Sequence, residues 1–161
     1  MSDAGMTGFT GAAGAAGAHT QPGCELCALA VQPQHLAYRG DRFSVILVDD
    51  AAYPGFCRVI WNAHVKEMSD LEAPERLLLN DAVWQVELAL RAVMQPAKVN
   101  LASLGNMTPH LHWHVIPRYL DDAHFPNPVW APAVRATEEA VLAARRALLP
   151  ALAADIARRL A

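Results

Sequence analysis

Cysteine, charge and long apolar runs are all scarce in this sequence. Three cysteines among 161 residues, Cys24, Cys27 and Cys57, are too few and odd in number for a disulfide framework. Charged residues make up 18% of the chain and the formal net charge is -3, which excludes a polybasic nucleic-acid-binding protein. No window approaches the roughly 18 uninterrupted apolar residues of a membrane span, and no Lys or Arg precedes Arg39 to start a signal peptide. We therefore expect a cytoplasmic protein with neither nucleic acid nor membrane as a partner.

The length of 161 residues predicts one domain with a single site, and the hydrophobic content of 53% predicts that this domain is compact. Six of the nine glycines fall in the first 23 residues, five of them at every third position from Gly5 to Gly17. That period is too short and too poor in proline for collagen. We predict a disordered Gly- and Ala-rich tail over residues 1–22, a folded domain over 23–133 and a C-terminal helical extension over 134–161.

Hydrophobic patterning predicts an α+β fold. A helix is predicted from Pro74 to Pro96, with Leu79, Val83, Val86, Leu90 and Val93 on one face. The extension reads as helical with an interruption at Pro150. We expect an antiparallel sheet of about five strands, one long helix packed on it and a C-terminal helix. The five apolar runs predicted as strands cover residues 36–39, 43–48, 56–61, 99–104 and 111–116.

Histidine is concentrated in one short run, in which His110, His112 and His114 alternate with apolar residues. On a strand these three side chains share one face, and Leu111, Trp113 and Val115 share the other. In a helix, successive histidines would be turned by about 200° and would mix with the apolar set. The run is therefore predicted to be a strand.

The histidine face has three interpretations. A solvated face that happens to carry histidine is the first. A zinc site built from all three is the second, but the outer two residues of an extended strand start about 13 Å apart, too far for one ion. The third is catalysis, because imidazole, with an ordinary pKa near 6.5, can act as nucleophile, acid or base at neutral pH. We favour the third, with the middle imidazole attacking phosphorus.

The ordered set of motifs from about residue 24 to 118 resembles the histidine triad (HIT) superfamily of nucleotide hydrolases and transferases. The motifs in this set are Cys24-x-x-Cys27, a hairpin, Pro54-Gly55, Val59-Ile60, His64, Asp70-Leu71, Gly105-Asn106 and the triad. The resemblance implies a HIT-like fold, a nucleotide substrate and a homodimer. The long apolar stripe from Leu79 to Val93 is a second reason to expect pairing.

The resemblance also implies roles for individual residues. His112 would attack the α-phosphorus of a nucleoside polyphosphate, such as a diadenosine polyphosphate, or of a nucleoside phosphoramidate, forming a nucleotidyl-histidine. His114 would contact the phosphate and help to protonate the leaving group, and His110 completes the triad. Asn100 would lie near the leaving group, and Asn106, where Gln is usual, would hydrogen-bond an oxygen of the phosphate. No catalytic metal is required.

Three positions depart from the family pattern. Phe56 follows Pro54-Gly55 where a histidine is frequent, Met107 replaces a serine or threonine, and Trp61 replaces a proline. Loss of the hydroxyl at Met107 leaves open an alternative function, a nucleotide-binding or regulatory protein without turnover.

The Cys24-x-x-Cys27 spacing is that of half a zinc site, with His64 and His110 as the other candidate ligands. Similarity to bacterial triad proteins implies a structural zinc held by these four residues. Two reduced core cysteines or a redox pair are the alternatives, and His35 is a substitute ligand. A zinc-stabilised interaction module is a third possible function.

Arg118 and Trp130, near the end of the domain, each have two interpretations. Arg118 either binds a distal phosphate or pairs with Asp121, and Trp130 either covers a base or packs on the sheet.

Overall fold

The computed structural model describes residues 20–29 and 35–161. The predicted disordered tail lies outside the described residues except for 20–22 and stays a prediction. Within the described part there are five strands and four α-helices. The strands are β1 (Leu36–Arg39), β2 (Phe43–Leu47), β3 (Cys57–Trp61), β4 (Lys98–Ala102) and β5 (His112–Arg118). The helices are α1 (Glu25–Leu29), α2 (Ala73–Val93), α3 (Glu139–Arg146) and α4 (Leu149–Leu160), with a 3-10 helix at Met68–Asp70.

The strands form one antiparallel sheet in the order β1-β2-β3-β5-β4. The predicted α+β fold with a five-stranded sheet is therefore confirmed. The histidine-bearing strand, β5, lies between β3 and β4, so its backbone is held by hydrogen bonds on both sides. This interior position fixes the direction of every side chain on β5.

Helix α2 covers one face of the sheet. It starts with Pro74 in its first turn, and Glu72 and Glu75 form a capping box at that end. The predicted apolar face is confirmed, because Leu79, Val83, Val86 and Leu90 are buried in the main core and Val93 packs against it. This face is covered by the chain's own sheet, so it is not free for pairing with a second chain.

The turn before β3 depends on Gly55. Its φ of +91° lies in the left-handed region that glycine tolerates. A Cβ at this position would also overlap the sulfur of Met94, at the end of α2. Gly55 therefore sets both the turn and the close approach of α2 to the sheet.

The C-terminal extension forms two helices rather than one helix broken at Pro150. The break falls at Ala147 and Leu148, and Pro150 lies in the first turn of α4, where its missing N–H costs no helical hydrogen bond. Leu152 and Ile156 of α4 are fully buried and belong to the main core. In the described part of the chain, no helix combines the length and apolar character of a membrane span.

Candidate functional site

The face of the sheet opposite α2 carries His112 and His114. Trp113 and Val115 pack in or against the main core beneath α2, which confirms the predicted alternation along this strand. The rings of His112 and His114 are 4.8 Å apart, centroid to centroid. His110 precedes β5, and its ring contacts a separate cluster described below. Two of the three triad rings therefore share one cavity, and the third does not line it.

The cavity beside these two rings has a volume of about 310 Å³. The loop after β4 forms one wall of the cavity, and β3 and the segment after β5 complete it. Asn106, one of the predicted substrate-binding residues, belongs to the loop wall. The complete lining is Arg58, Leu104, Gly105, Asn106, Met107, Thr108, His112, His114 and Trp130.

The proton on His112 is placed by a backbone hydrogen bond. Its Nδ1 lies 2.6 Å from the carbonyl oxygen of His110. A carbonyl only accepts, so Nδ1 carries the hydrogen and Nε2 keeps a free lone pair. Burial lowers the pKa of His112, the bond to the His110 carbonyl opposes that shift, and the positive charge of Arg58 adds to it. The ring is therefore neutral at neutral pH, as a nitrogen nucleophile must be.

His114 is buried, and neither of its ring nitrogens has a hydrogen-bond partner within the described chain. Burial lowers its pKa to about 4, with further contributions from His112 and Arg58. The ring of Phe56 packs edge-on at 5.4 Å and offers no hydrogen bond. Phe56, at the position where the resemblance implied a histidine, thus leaves both buried ring nitrogens of His114 without a partner in the described chain.

The loop before the triad supplies a hydroxyl one residue later than expected. Met107, at the position where the family has serine or threonine, is 94% exposed. Thr108 lines the same cavity as the two histidines. Behind this loop, Ser103 donates from Oγ to the carbonyl oxygen of His112 at 3.1 Å. The absence of a hydroxyl at Met107 therefore does not leave the cavity without one.

Asn100 is not brought to the histidine cavity. Its Oδ1 accepts a hydrogen bond from Nη1 of Arg118 at 2.6 Å. Both side chains line an adjoining depression, which shares Trp130 with the histidine cavity. The ring of Trp130 is 57% exposed and lies 5.4 Å from that of His114. Trp130 thus separates the two depressions and is not buried against the sheet.

Arg118 pairs with Asp122 rather than with Asp121, the protein partner that was expected. The Nε of Arg118 lies 2.7 Å from Oδ2 of Asp122, and both side chains are buried. Although burial raises the pKa of Asp122, hydrogen bonds from Arg118 and from the backbone N–H groups of three residues lower it to about 2. Asp121 pairs instead with Arg145. This buried network holds the segment after β5, including the chain that leads to Trp130.

A second cluster joins α1 to the start of β5. Its four predicted members, Cys24, Cys27, His64 and His110, place their ligand atoms within 4.8 Å of one another. Nδ1 of His110 lies 3.3 Å from Sγ of Cys24 and 3.4 Å from Sγ of Cys27. Nδ1 of His64 lies 3.5 Å from Sγ of Cys27. His35, the substitute ligand, is not part of this group.

The donor set of this cluster fits zinc. A tetrahedral ion bound by two sulfurs and two nitrogens has ligand-to-ligand edges of about 3.3 to 3.8 Å. Nε2 of His110 lies 2.6 Å from the carbonyl oxygen of Trp61 and donates its hydrogen there. The lone pair of Nδ1 is therefore directed to the thiols, as in histidine ligands oriented by a backbone carbonyl. These four residues are therefore a candidate zinc site.

Sequence reasoning missed Arg58, which lines the histidine cavity. Its position on β3 is directly opposite His114. A charged residue inside the apolar run Phe56 to Trp61 was the available signal. Recognising its meaning required the pairing of β3 with β5, which the sequence alone does not reveal.

Comparison with known proteins shows the family. The HIT domain profile matches residues 30–121, more than half of the chain. A histidine triad protein from Bradyrhizobium japonicum is 27% identical over 76% of this chain and 92% of that one, with a TM-score of 0.63. Another, from Marinobacter aquaeolei, is 28% identical over 76% and 90% of the two chains, with a TM-score of 0.60.

A third structure shows similarity of fold alone. It is a Zn-bound histidine triad family protein from Mycobacterium smegmatis, 21% identical over 82% of this chain and 96% of that one, with a TM-score of 0.56. The comparison with curated proteins gives no significant match. From the domain match, and from the folds and sequences shared with two bacterial histidine triad proteins, it follows that this chain belongs to the HIT domain family.

Proposed function

We propose that this protein is a nucleotidyl hydrolase or transferase that uses His112 as a covalent nucleophile. Membership of the HIT family supports nucleotide-related hydrolase or transferase chemistry in general. The substrate proposed is a nucleoside polyphosphate, such as a diadenosine polyphosphate, or a nucleoside phosphoramidate. The observation that carries the proposal is the hydrogen bond from His112 Nδ1 to the His110 carbonyl, which leaves Nε2 free at the cavity.

In the first step, Nε2 of His112 attacks the α-phosphorus and a nitrogen–phosphorus bond forms. The bond to the leaving group breaks, and the leaving oxygen or nitrogen departs with the electron pair and takes up a proton. In the second step, water attacks the phosphorus and gives a proton to His114, which is neutral after the first step; the bond to His112 breaks and its electron pair returns to Nε2. The product is a nucleoside monophosphate, or a transferred nucleotide when another acceptor replaces water.

His114 is proposed to hydrogen-bond the phosphate and to pass a proton to the leaving group. Its free ring nitrogens support this role. Its pKa is low in the free protein, but a bound phosphate raises the pKa of a neighbouring imidazole because the negative charge favours the imidazolium. The substrate itself therefore supplies the charge that makes His114 an acid.

Asn106 and Thr108 are proposed to donate hydrogen bonds to phosphate oxygens from the loop wall of the cavity. Asn100 is proposed to act only at the far end of a long substrate, because its side-chain oxygen is held by Arg118 in the adjoining depression. A leaving group that extends past Trp130 would reach this depression.

A structural zinc ion is proposed at Cys24, Cys27, His64 and His110. The donor chemistry supports it, and so does the Mycobacterium smegmatis relative, which is Zn-bound. An ion bound here would tie α1 to the residue that positions His112. It would be structural, with four protein ligands and no open position.

A homodimer in the cytoplasm, without nucleic-acid or membrane partners, completes the proposal. The apolar stripe first considered for pairing is covered by the sheet. Leu77, Leu78 and Trp84 support pairing instead, since these side chains of α2 are 70%, 42% and 54% exposed. A solution mass equal to one chain would contradict the dimer.

The test is trapping of the covalent intermediate. The protein is incubated with a radiolabelled adenosine polyphosphate or phosphoramidate and quenched, and label is sought on the protein. We expect labelled wild-type protein and none with His112→Ala, which should also lose turnover. Equal turnover by His112→Ala would contradict the mechanism. Nucleotide binding with neither adduct nor turnover would favour the regulatory alternative, for which Met107 is the supporting departure. Bound zinc without nucleotide affinity would favour an interaction module.

A further inference from the structure

Arg58 occupies a central place on the wall of the histidine cavity. It lies in the middle of β3, directly opposite His114 in the pairing of β3 with β5. Residues paired across antiparallel strands project to the same face, so Arg58 and His114 share the side of the sheet away from α2. The side chain of Arg58 lines the same cavity as His112 and His114.

The guanidinium of Arg58 is half-buried and has no carboxylate at ion-pair distance in the described part of the chain. Its Nε is buried and makes no hydrogen bond there. Glu25, in the first turn of α1, acts on its charge only from a longer distance. Arg118, another arginine on this face, is paired with buried Asp122. A desolvated guanidinium without a partner is costly unless a ligand supplies the missing anion.

The charge of the cavity agrees with an anionic ligand. Among the residues described as lining the cavity, Arg58 is the one with a permanent charge, and the others are two histidines and uncharged polar or apolar residues. Guanidinium groups bind phosphate through two parallel hydrogen bonds, a geometry that selects planar pairs of oxygens.

We propose that Arg58 binds the non-bridging oxygens of the substrate phosphate that His112 attacks. This inference rests on the proposed function, because it places a nucleotide phosphate in the histidine cavity. It adds a substrate-binding residue and a selectivity, for substrates whose reacting end carries full negative charge over neutral analogues of the same shape. The same guanidinium stabilises charge that develops on these oxygens during transfer.

The test is equilibrium titration of the full-length, zinc-loaded protein with three probes, AMP, adenosine and inorganic phosphate. In Arg58→Leu we expect binding of AMP and of phosphate to weaken about tenfold or more, with adenosine binding unchanged. Arg58→Lys keeps the charge but loses the paired hydrogen bonds. Its affinity for AMP and phosphate should therefore lie between those of wild type and Arg58→Leu. Arg91→Leu, which removes an exposed arginine from the end of α2, is the charge-matched control and should bind as wild type does.

Thermal unfolding checks that each variant, Arg58→Leu included, is folded. Arg58→Lys gives a second comparison of binding with wild type, in which the charge is kept. The inference is overturned if Arg58→Leu binds AMP and phosphate as tightly as wild type, or if wild type binds neither. His112→Ala separates this inference from the proposed function. If it abolishes turnover while Arg58→Leu has no effect on binding, only the inference fails. If Arg58→Leu weakens AMP binding while His112→Ala retains turnover, only the covalent mechanism fails.

Discussion

The backbone carbonyl of His110 accepts the hydrogen of His112 Nδ1 at 2.6 Å, while the side chain of His110 belongs to the cysteine cluster. One residue thus connects two sites. Its ring is held by Cys24, Cys27 and the Trp61 carbonyl, and its carbonyl sets the tautomer of the proposed nucleophile. A change at the cluster is therefore expected to reach the histidine cavity through a single peptide unit.

Loss of the proposed zinc is expected to lower both stability and activity. We expect Cys24→Ser to lower the bound zinc from one ion per chain towards zero, and to lower the unfolding temperature. Turnover should fall about tenfold or more, in line with the loss of a residue that orients a reacting group. Metal analysis, thermal unfolding and activity assays check this. Cys57→Ala, a change at the buried cysteine outside the cluster, should leave the zinc content unchanged. Full zinc content in Cys24→Ser would contradict the assignment.

The hydroxyl of Thr108 is expected to contribute to turnover. Thr108→Val keeps the shape of the side chain but removes one donor to the phosphate, so we expect kcat to fall about tenfold, the value of one hydrogen bond. Ser69→Ala is the matched control, because Ser69 is exposed on the 3-10 helix and does not line the cavity, and its kcat should change less than twofold by the usual size of surface effects. Steady-state kinetics on both variants measure the difference. A kcat in Thr108→Val equal to that of Ser69→Ala would contradict a role of this hydroxyl in turnover.

Removal of the buried carboxylate of Asp122 is expected to destabilise the fold. Asp122→Asn leaves Arg118 as an unpaired buried charge, and we expect the free energy of unfolding to fall by about 3 kcal/mol or more. Asp121→Asn breaks only the pair with Arg145, in which Asp121 is half-exposed, and should cost less than about 1 kcal/mol. Denaturant unfolding measures both. Equal losses of unfolding free energy in Asp122→Asn and Asp121→Asn would mean that the buried network around Arg118 adds no stability beyond that of an exposed ion pair.

The low pKa of Asp122 predicts part of the loss of stability of the protein in acid. Its pKa is lowered in the folded state from 3.8 to about 2, so the folded protein binds its proton less readily than the unfolded chain does. The stability that this carboxylate contributes is complete above its unfolded pKa and is lost as the pH falls through its folded pKa. The difference in unfolding free energy between wild type and Asp122→Asn should therefore shrink between about pH 4 and pH 2. A constant difference over that range would assign the acid sensitivity to other groups.

A side chain at Gly55 is expected to disturb the packing of α2 on the sheet. Gly55→Ala places a Cβ on a residue with φ of +91° and against the sulfur of Met94. We expect a loss of about 2 kcal/mol or more in the free energy of unfolding, from backbone strain and overpacking together. Gly105→Ala is the control, since its Cβ would meet only the Thr108 carbonyl oxygen at 3.8 Å. Urea unfolding should give a lower free energy of unfolding for Gly55→Ala than for Gly105→Ala. Similar free energies in the two variants would contradict the expected strain at position 55.

Local patterns predicted the elements well because a strand or helix face depends on nearby residues. The alternation around Trp113 and the apolar spacing from Leu79 both report which side chains turn inward, and the structure confirms both. Pro150 was misplaced for a local reason too. A proline suits the first turn of a helix as well as it ends one, and the pattern did not distinguish a new start from an interruption.

The site was predicted only as far as local pattern and family resemblance reach. The four cluster residues were identified because Cys-x-x-Cys and the triad are recognisable motifs. Arg58 was missed because its neighbour His114 is brought to it by strand pairing across 56 positions of the sequence. Asn100 was expected near the leaving group, and nothing local shows that Arg118 binds its side chain.

The packing of α4 has a consequence for synthesis on the ribosome. Leu152 and Ile156 fill the same core as residues of β2, β3 and α2, which are translated much earlier. A nascent chain that has emerged only as far as α3 would expose that apolar surface, and stalled or truncated products are expected to aggregate or to engage chaperones. Completion of this core thus waits for α4, which is translated after the strands and the helix that it packs against.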